Sequence, residues 1–377
     1  MKDTNNPFGF GNAIEGDMFT DRIADTERLL ANFRNGVNTI LISPRRWGKT
    51  SLVRQASRLA ESGRLKIVNI DMFSCREEED FYRLFAVGII KQTSSRWEEW
   101  VENAKKFLSS FVPKITLGAD PLTDFSFSLS FTDKKQGEEV LNLPQKIADE
   151  KGIKIVVCID EFQQITEFKD AVWFQKKLRS AWQLQNDVTY CLYGSKKHIL
   201  NELFSRQSMP FYKFGDLIFL QKISTPDWIT FICNRFEVTG KKISGNLADK
   251  ICQTVENHSS YVQQLAWLVW LRTDFEASDE AFESAKIDLL NQNAALYYRY
   301  IEELTGYQIN FLRAVAEGIN REFTKKDILK RYDLGTSANV SRIKKSLENK
   351  ELIDNTNGSI TFNDPVFRIW FLKTMNY

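Results

Sequence analysis

Apolar and polar positions follow two different periods along this chain. In the first half, short apolar runs recur: Thr39 to Ile42, Leu65 to Asp71, Lys154 to Ile159, Val188 to Tyr193 and Asp216 to Leu220. Such runs predict five buried strands. Helical patterns fall between them. One runs from about Ala24 to Asn35 with Leu29, Leu30 and Phe33 on a face, one opens at Lys49 ahead of Leu52 and Val53, and one spans roughly Glu78 to Gln92. Strands alternating with helices predict a parallel sheet. From Pro226 to about Tyr300 the strands stop. Ile229, Ile232, Cys233 and Phe236 mark one helical face, Leu247, Ile251 and Val255 another, and Tyr261 to Trp270 is strongly apolar, which predicts a small helical lid.

From Thr305 the pattern changes again and predicts a winged helix. Ile309, Leu312, Val315 and Ala316 form the first helical face, and Val340, Ile343 and Leu347 an inward face on a helix from Ser337 to Lys350. Thr324-Lys325-Lys326-Asp327 has the layout of a capping box. Leu352-Ile353 and Ile360 to Phe362 would form the wing around Asn355-Thr356-Asn357-Gly358. Residues 95–150 read as an insertion. Phe125, Phe127, Leu129 and Phe131 alternate with serines, and Ile115 and Leu117 precede a Gly118-Ala119-Asp120-Pro121 turn, so a β-hairpin on the edge of the first domain is expected. The resulting domains are 1–224, 225–304 and 305–377, consistent with 377 residues being too many for one core.

Composition narrows the chemistry. A net charge of +2 gives no global argument for nucleic acid. No run of 18 apolar residues and no leader pattern is present, so neither a membrane span nor export is expected. Five cysteines without a C-x-x-C pair read as reduced core thiols of a cytoplasmic protein. Two histidines, His198 and His258, lack metal-ligand spacing.

The candidate chemistry sits where strands end. After Thr39 to Ile42 comes Ser43-Pro44-Arg45-Arg46-Trp47-Gly48-Lys49-Thr50-Ser51, a loop that turns into a helix. Strand, loop and helix in that order make a phosphate-binding loop, whose N–H groups and helix end cradle phosphate oxygens. Lys49 would reach the terminal phosphates, and the Thr50 hydroxyl would help hold Mg²⁺. Ser43 stands where the usual pattern has Gly. Asp160 and Glu161 end the Lys154 to Ile159 run, where α/β sheets bind ligands. Asp160 would hold Mg²⁺ through water and Glu161 would polarise the attacking water. Ser195, at the next strand end, is either a γ-phosphate sensor or a helix N-cap. Phe19 and Arg22, just before the loop, are candidates to pack on a nucleotide base.

These stretches resemble the AAA+-related, archaeal-type STAND ATPases. The resemblance is carried by Asn6-Pro7-Phe8, Phe19-x-x-Arg22, Pro44 to Leu52, Ile159-Asp160-Glu161-Phe162-Gln163, Gly194-Ser195, Tyr261-Val262-Gln263-Gln264-Leu265 and Asn363-Asp364-Pro365-Val366-Phe367-Arg368-x-Trp370. It implies a P-loop NTPase of the ASCE/AAA+ kind with a helical lid and a C-terminal winged helix. It also implies ATP rather than GTP, with Mg²⁺, slow hydrolysis, and a molecular switch. Ser205-Arg206 stands where the family has Gly-Arg, which makes Arg206 a candidate contact to the γ-phosphate, within one chain or across a subunit boundary. His258-Ser259-Ser260 replaces the family's Gly-x-Pro. A protein partner or self-association is expected. A rival reading is an ATP-regulated, origin-recognition-like DNA-binding protein, favoured by Arg342, Lys344 and Lys345 on the third winged-helix segment, with Lys325, Lys326, Lys330 and Arg331 before it. Against it, residues 301–377 carry 12 Lys+Arg and 10 Asp+Glu. A third reading, resting on Ser43, is a nucleotide binder that does not hydrolyse.

Overall fold

The structure is a computed structural model and describes residues 6–14, 16–19, 22–94, 99, 106, 114–115, 127–128, 134–356 and 358–375. The chain forms two compact units, residues 22–221 and residues 222–377 together with 1–21.

The unit of residues 22–221 is built on β1 (Thr39–Ile42), β2 (Leu65–Asp71), β5 (Lys154–Asp160), β6 (Val188–Gly194) and β7 (Asp216–Phe219). They pair in the order β2-β5-β6-β1-β7, all parallel. All five expected strands are present. Parallel pairing requires helical crossovers, so both faces are covered and the strands read as continuous apolar runs. β5 is buried from Ile155 to Ile159 and β6 throughout. Because all five strands point one way, their carboxyl ends share one edge. The ends of β5, β6 and β1 are therefore neighbours, although residues 43, 160 and 195 are far apart in sequence.

Residues 95–150 hold more than the expected hairpin. The expected pairing is present: β3 (Lys114–Ile115) and β4 (Phe127–Ser128) pair antiparallel, as a two-stranded ladder of their own. The expected turn at residues 118–121 lies outside the described residues. The stretch from Lys134 is a helix to Lys151 whose Val140, Leu141, Leu143 and Ile147 are buried with Phe81, Phe85 and Ile89 of helix Glu78–Thr93.

The second unit holds one continuous apolar cluster running from Phe8 through Trp228, Tyr261 and Tyr297 to Phe371. The expected boundary at 304/305 falls inside it, between helices Asp279–Glu302 and Gly306–Ala316. The lid segment and the winged helix thus share a core. The first residues belong here too, and not with the sheet. Phe8 is 1% exposed, its ring 5.9 Å from Phe236, and the Gly9 N–H donates to Gln263 Oε1 at 2.9 Å.

The winged helix has helices Gly306–Ala316, Lys326–Arg331 and Ser337–Asn349, then β8 (Ile353–Thr356) and β9 (Ser359–Phe362) paired antiparallel, then a helix Pro365–Met375. Thr324 is not a cap; the residue before helix Lys326–Arg331 is Lys325, which makes no side-chain capping bond. The capping box is instead Thr305 with Gln308.

Candidate functional site

The loop Ser43 to Gly48 leaves β1 and enters helix Lys49–Ala60. Gly48 takes φ +93°, where side chains are strained, and its carbonyl accepts the first helical bond from Leu52 at 2.9 Å. Ser43 is fully buried, with its hydroxyl bonded to the Pro44 carbonyl at 3.0 Å. It does not occupy the left-handed region, so this backbone does not demand the glycine found at that place in the usual pattern. Lys49 is buried at the helix start, and Ser51 is buried one residue past Thr50. Pro44 and Trp47 are half-buried, while Arg45 and Arg46 are exposed.

The second half of the site comes from β5. Lys49 Nζ lies 3.2 Å from Glu161 Oε1 and 3.9 Å from Asp160 Oδ1. The Thr50 hydroxyl donates to Asp160 Oδ2 at 2.8 Å. Ser195, at the end of β6, donates from Oγ to Glu161 Oε2 at 3.0 Å, and Gln163 Nε2 donates to the same oxygen. Residues 49, 50, 160, 161 and 195, five of the sequence candidates, therefore meet. The N-cap of helix Lys197–Ser205 is Lys196, so the Ser195 hydroxyl belongs to the site and not to a cap.

The two carboxyls are held differently. Burial pushes Asp160 up, and Lys49, Thr50 and the Glu161 N–H only partly offset it. Burial also acts on Glu161, but the Lys49 charge and the bonds from Gln163, Ser195 and Lys49 outweigh it and hold this carboxyl below its ordinary value. Among the described residues no cluster of three or more His, Cys, Asp or Glu could hold a metal alone. A hydroxyl touching a carboxylate is nevertheless a hard-oxygen pair of the kind Mg²⁺ takes when substrate phosphate and water complete its shell.

Three candidates lie elsewhere. Arg22 is 7% exposed and committed to protein: its guanidinium donates to the Trp47 carbonyl at 3.0 Å, the Gln221 carbonyl at 2.6 Å and Asp25 at 3.2 Å. It shapes the loop from behind. Phe19 is half-buried and belongs to the other unit. Arg206 follows helix Lys197–Ser205, its side chain is 62% exposed, and it pairs with Glu202 at 2.6 Å. Sequence reasoning missed Gln163 as a site residue; its only signal was its place in the Asp-Glu-Phe-Gln run.

Comparison with known proteins agrees with this architecture. Residues 295–373 match the family model described as "Probable winged helix domain". No curated protein matches the sequence. Among solved structures, the chain is similar to the Walker-type ATPase PABY2304 of Pyrococcus abyssi, with TM-score 0.68 at 18% identity over 94% of this chain and 96% of that one. The ORC2 protein of Aeropyrum pernix, solved in ADPNP–ADP complexes, gives TM-score 0.58 at 14% identity over 94% and 96%. The ORC1 protein of the same organism, solved in complex with DNA, gives 0.50 at 14% over 96% and 94%.

Proposed function

We propose that this chain, which has the fold of Walker-type ATPases with a C-terminal winged helix, binds ATP with Mg²⁺ and hydrolyses it slowly as a STAND-type switch in the cytoplasm. The observation that carries the reading is the meeting of Lys49, Thr50, Asp160, Glu161 and Ser195 at one edge of the sheet. In this reading Lys49 exchanges the carboxylates for the β- and γ-phosphates. Thr50 and Asp160 hold Mg²⁺, which when bound neutralises charge on the phosphate oxygens. Glu161 orients a water for in-line attack on the γ-phosphorus and takes its proton as the bond to ADP breaks. Ser195 steadies Glu161.

The switch reading is supported by Arg22. One guanidinium holds both the phosphate loop, at Trp47, and the last residue of the nucleotide unit, Gln221. A shift in the loop is therefore felt where the chain leaves that unit. The exposure of Arg206 favours action on a second copy over action within its own chain. The five cysteines are free thiols, as suits a reducing compartment.

The reading is tested by separating binding from turnover. Lys49→Ala removes a charge-assisted bond worth about 1.5–3 kcal/mol and should weaken ATP about tenfold or more by calorimetry. Glu161→Gln should keep ATP affinity and lose most phosphate release. Equal affinity in Lys49→Ala and the parent would rule the site out, and undiminished release by Glu161→Gln would remove Glu161 from the chemistry.

A second reading, duplex DNA on the winged helix, is favoured by Arg342 and Lys345, both exposed on helix Ser337–Asn349. Lys344 does not support it. That ammonium lies 4.9 Å from the Phe323 ring centre, and burial lowers its affinity for a proton.

A further inference from the structure

We infer that Gln163 is a positioning residue for Glu161, and that Gly194 exists to make room for it. The inference rests on the hydrolytic reading above.

Glu161 sits at an awkward place. It follows β5 with φ 51° and ψ 39°, a left-handed conformation that a non-glycine residue adopts at a cost. A side chain leaving such a backbone needs outside contacts to fix it. Glu161 has three: Lys49 on Oε1, and Ser195 and Gln163 on Oε2. They are not equivalent. Lys49 is the cation that the triphosphate claims, so its bond to Glu161 is lost when nucleotide binds. Ser195 supplies one hydroxyl from the end of β6 and is itself buried. Gln163 is 2% exposed and lies behind the carboxylate.

The orientation of the amide follows from its neighbour. A carboxylate oxygen only accepts, so the Gln163 atom facing Glu161 Oε2 is the NH₂. The carbonyl end is then left without a partner: Gln163 Oε1 is buried with no donor bonded to it. Buried unpaired polar atoms are few in folded proteins and each implies a competing demand. Here the demand is the bond to Glu161. The carbonyl end is seated against Gly194, where a Cβ would collide with Gln163 Oε1. Gly194 does not carry a positive φ, so conformational freedom is not why glycine stands there. Space for the Gln163 amide is. Gly194 also ends β6 immediately before Ser195, so the strand that supplies one donor is cut back to admit the other.

Gln163 touches neither nucleotide nor water in this account; it acts through Glu161. Gln163→Met keeps volume and removes the donor. It should lower kcat about tenfold to a hundredfold, the effect of losing one bond to a charged group, with KM and ATP affinity within about twofold of the parent. Gln163→Glu, which sets a second carboxylate against Glu161, should do at least as much. In a Glu161→Gln background, Gln163→Met should cause no further loss of turnover. A parent-like kcat in Gln163→Met overturns the inference while leaving Glu161 in place. A full additional loss in the double variant also overturns it, because Gln163 would then act independently of Glu161. Undiminished turnover in Glu161→Gln alone removes both the reading and the inference. Loss of ATP affinity in Gln163→Met equal to the loss of kcat would assign Gln163 to the general integrity of the site and overturn it as well.

Discussion

At the scale of single residues, one carboxylate fastens a helix to the sheet. Arg28 grips Asp216 with two bonds, 2.9 and 2.6 Å, and Asn32 adds a third at 2.9 Å. These bonds fasten helix Ile23–Asn35 to the edge strand β7, beside the strand that feeds the phosphate loop. Burial is the largest single influence on Asp216 and raises it, but the bonds from Arg28 and Asn32 and the Arg28 charge together prevail and hold this carboxyl below its ordinary value. A carboxyl with a depressed folded pKa stabilises fully above its unfolded pKa, and that stabilisation is lost as pH falls through the folded value. The parent should therefore lose stability more steeply than Asp216→Asn as pH falls below about 4, as read from urea unfolding at successively lower pH. Parallel curves for the two proteins would show that the bonds contribute nothing.

At the scale of elements, the winged helix raises the question of a partner. The face of helix Ser337–Asn349 opposite Val340, Ile343 and Leu347 presents Arg342 and Lys345. Around it Lys325 is paired with Glu322, and Arg331 with Glu317. With these two cations paired and residues 301–377 nearly neutral in charge, packing on a protein is the outcome we expect. The unmodified chain should then show no duplex binding at low salt, with or without ATP. The Arg342→Glu, Lys345→Glu double variant should alter assembly or ATPase rate instead. Duplex affinity that falls steeply with salt and vanishes in that variant would establish the DNA reading, since phosphate contacts release counterions.

Elements also show what was legible beforehand. The five strands were, because parallel strands buried on both faces leave unbroken apolar runs such as Ile155 to Ile159. Helix Lys134–Lys151 was not. Pro144 lies inside it, and a proline normally ends a helix. Only the buried company of Val140, Leu141 and Ile147 outweighs that local signal, and tertiary contacts cannot be read from a single stretch. Caps were half legible: Thr305 and Thr324 both have the right spacing, and only Thr305 is used. The Asp-Pro-x-Phe-Arg tail was recognisable as a pattern but not as a device. Asp364 Oδ1 caps the N–H groups of Val366 and Phe367 at 2.9 Å each, while Oδ2 accepts from Tyr261 at 2.6 Å and Tyr297 at 3.1 Å. Arg368 donates to the Ala316 carbonyl at 3.2 Å. Those residues bolt the last helix to the lid segment, and so the two predicted domains share one core.

At the scale of the whole molecule, the assignment of the first residues matters most. Asn6-Pro7-Phe8 falls within the first expected domain, 1–224, yet Phe8 is buried between Phe231 and Phe236, with ring centres 6.2 and 5.9 Å away. Phe10 lies 5.2 Å from Trp267. Removing residues 1–21 should therefore destabilise the helical unit and spare the nucleotide unit. Losing a fully buried Phe typically costs about 3–5 kcal/mol. We expect a lower unfolding midpoint for the helical unit, followed by hydrogen exchange in helices Thr225–Val238 and Ser259–Leu271, with exchange in β5 and β6 unchanged. The reverse pattern would place the segment with the sheet.

The same arrangement sets an order of events during synthesis. Residues 22–221 are one uninterrupted stretch, so the nucleotide unit has all its parts once residue 221 has left the ribosome. The unit that begins at the amino end is finished last. Its opening aromatic, Phe8, has no core to enter until the helices after residue 222 arrive, and the cluster is not closed before Phe371. Roughly 150 residues at about 5–20 per second leave that segment waiting on the order of ten seconds. For that interval an apolar Pro-Phe-Gly-Phe segment stands ahead of a finished domain, available to whatever chaperone meets nascent chains.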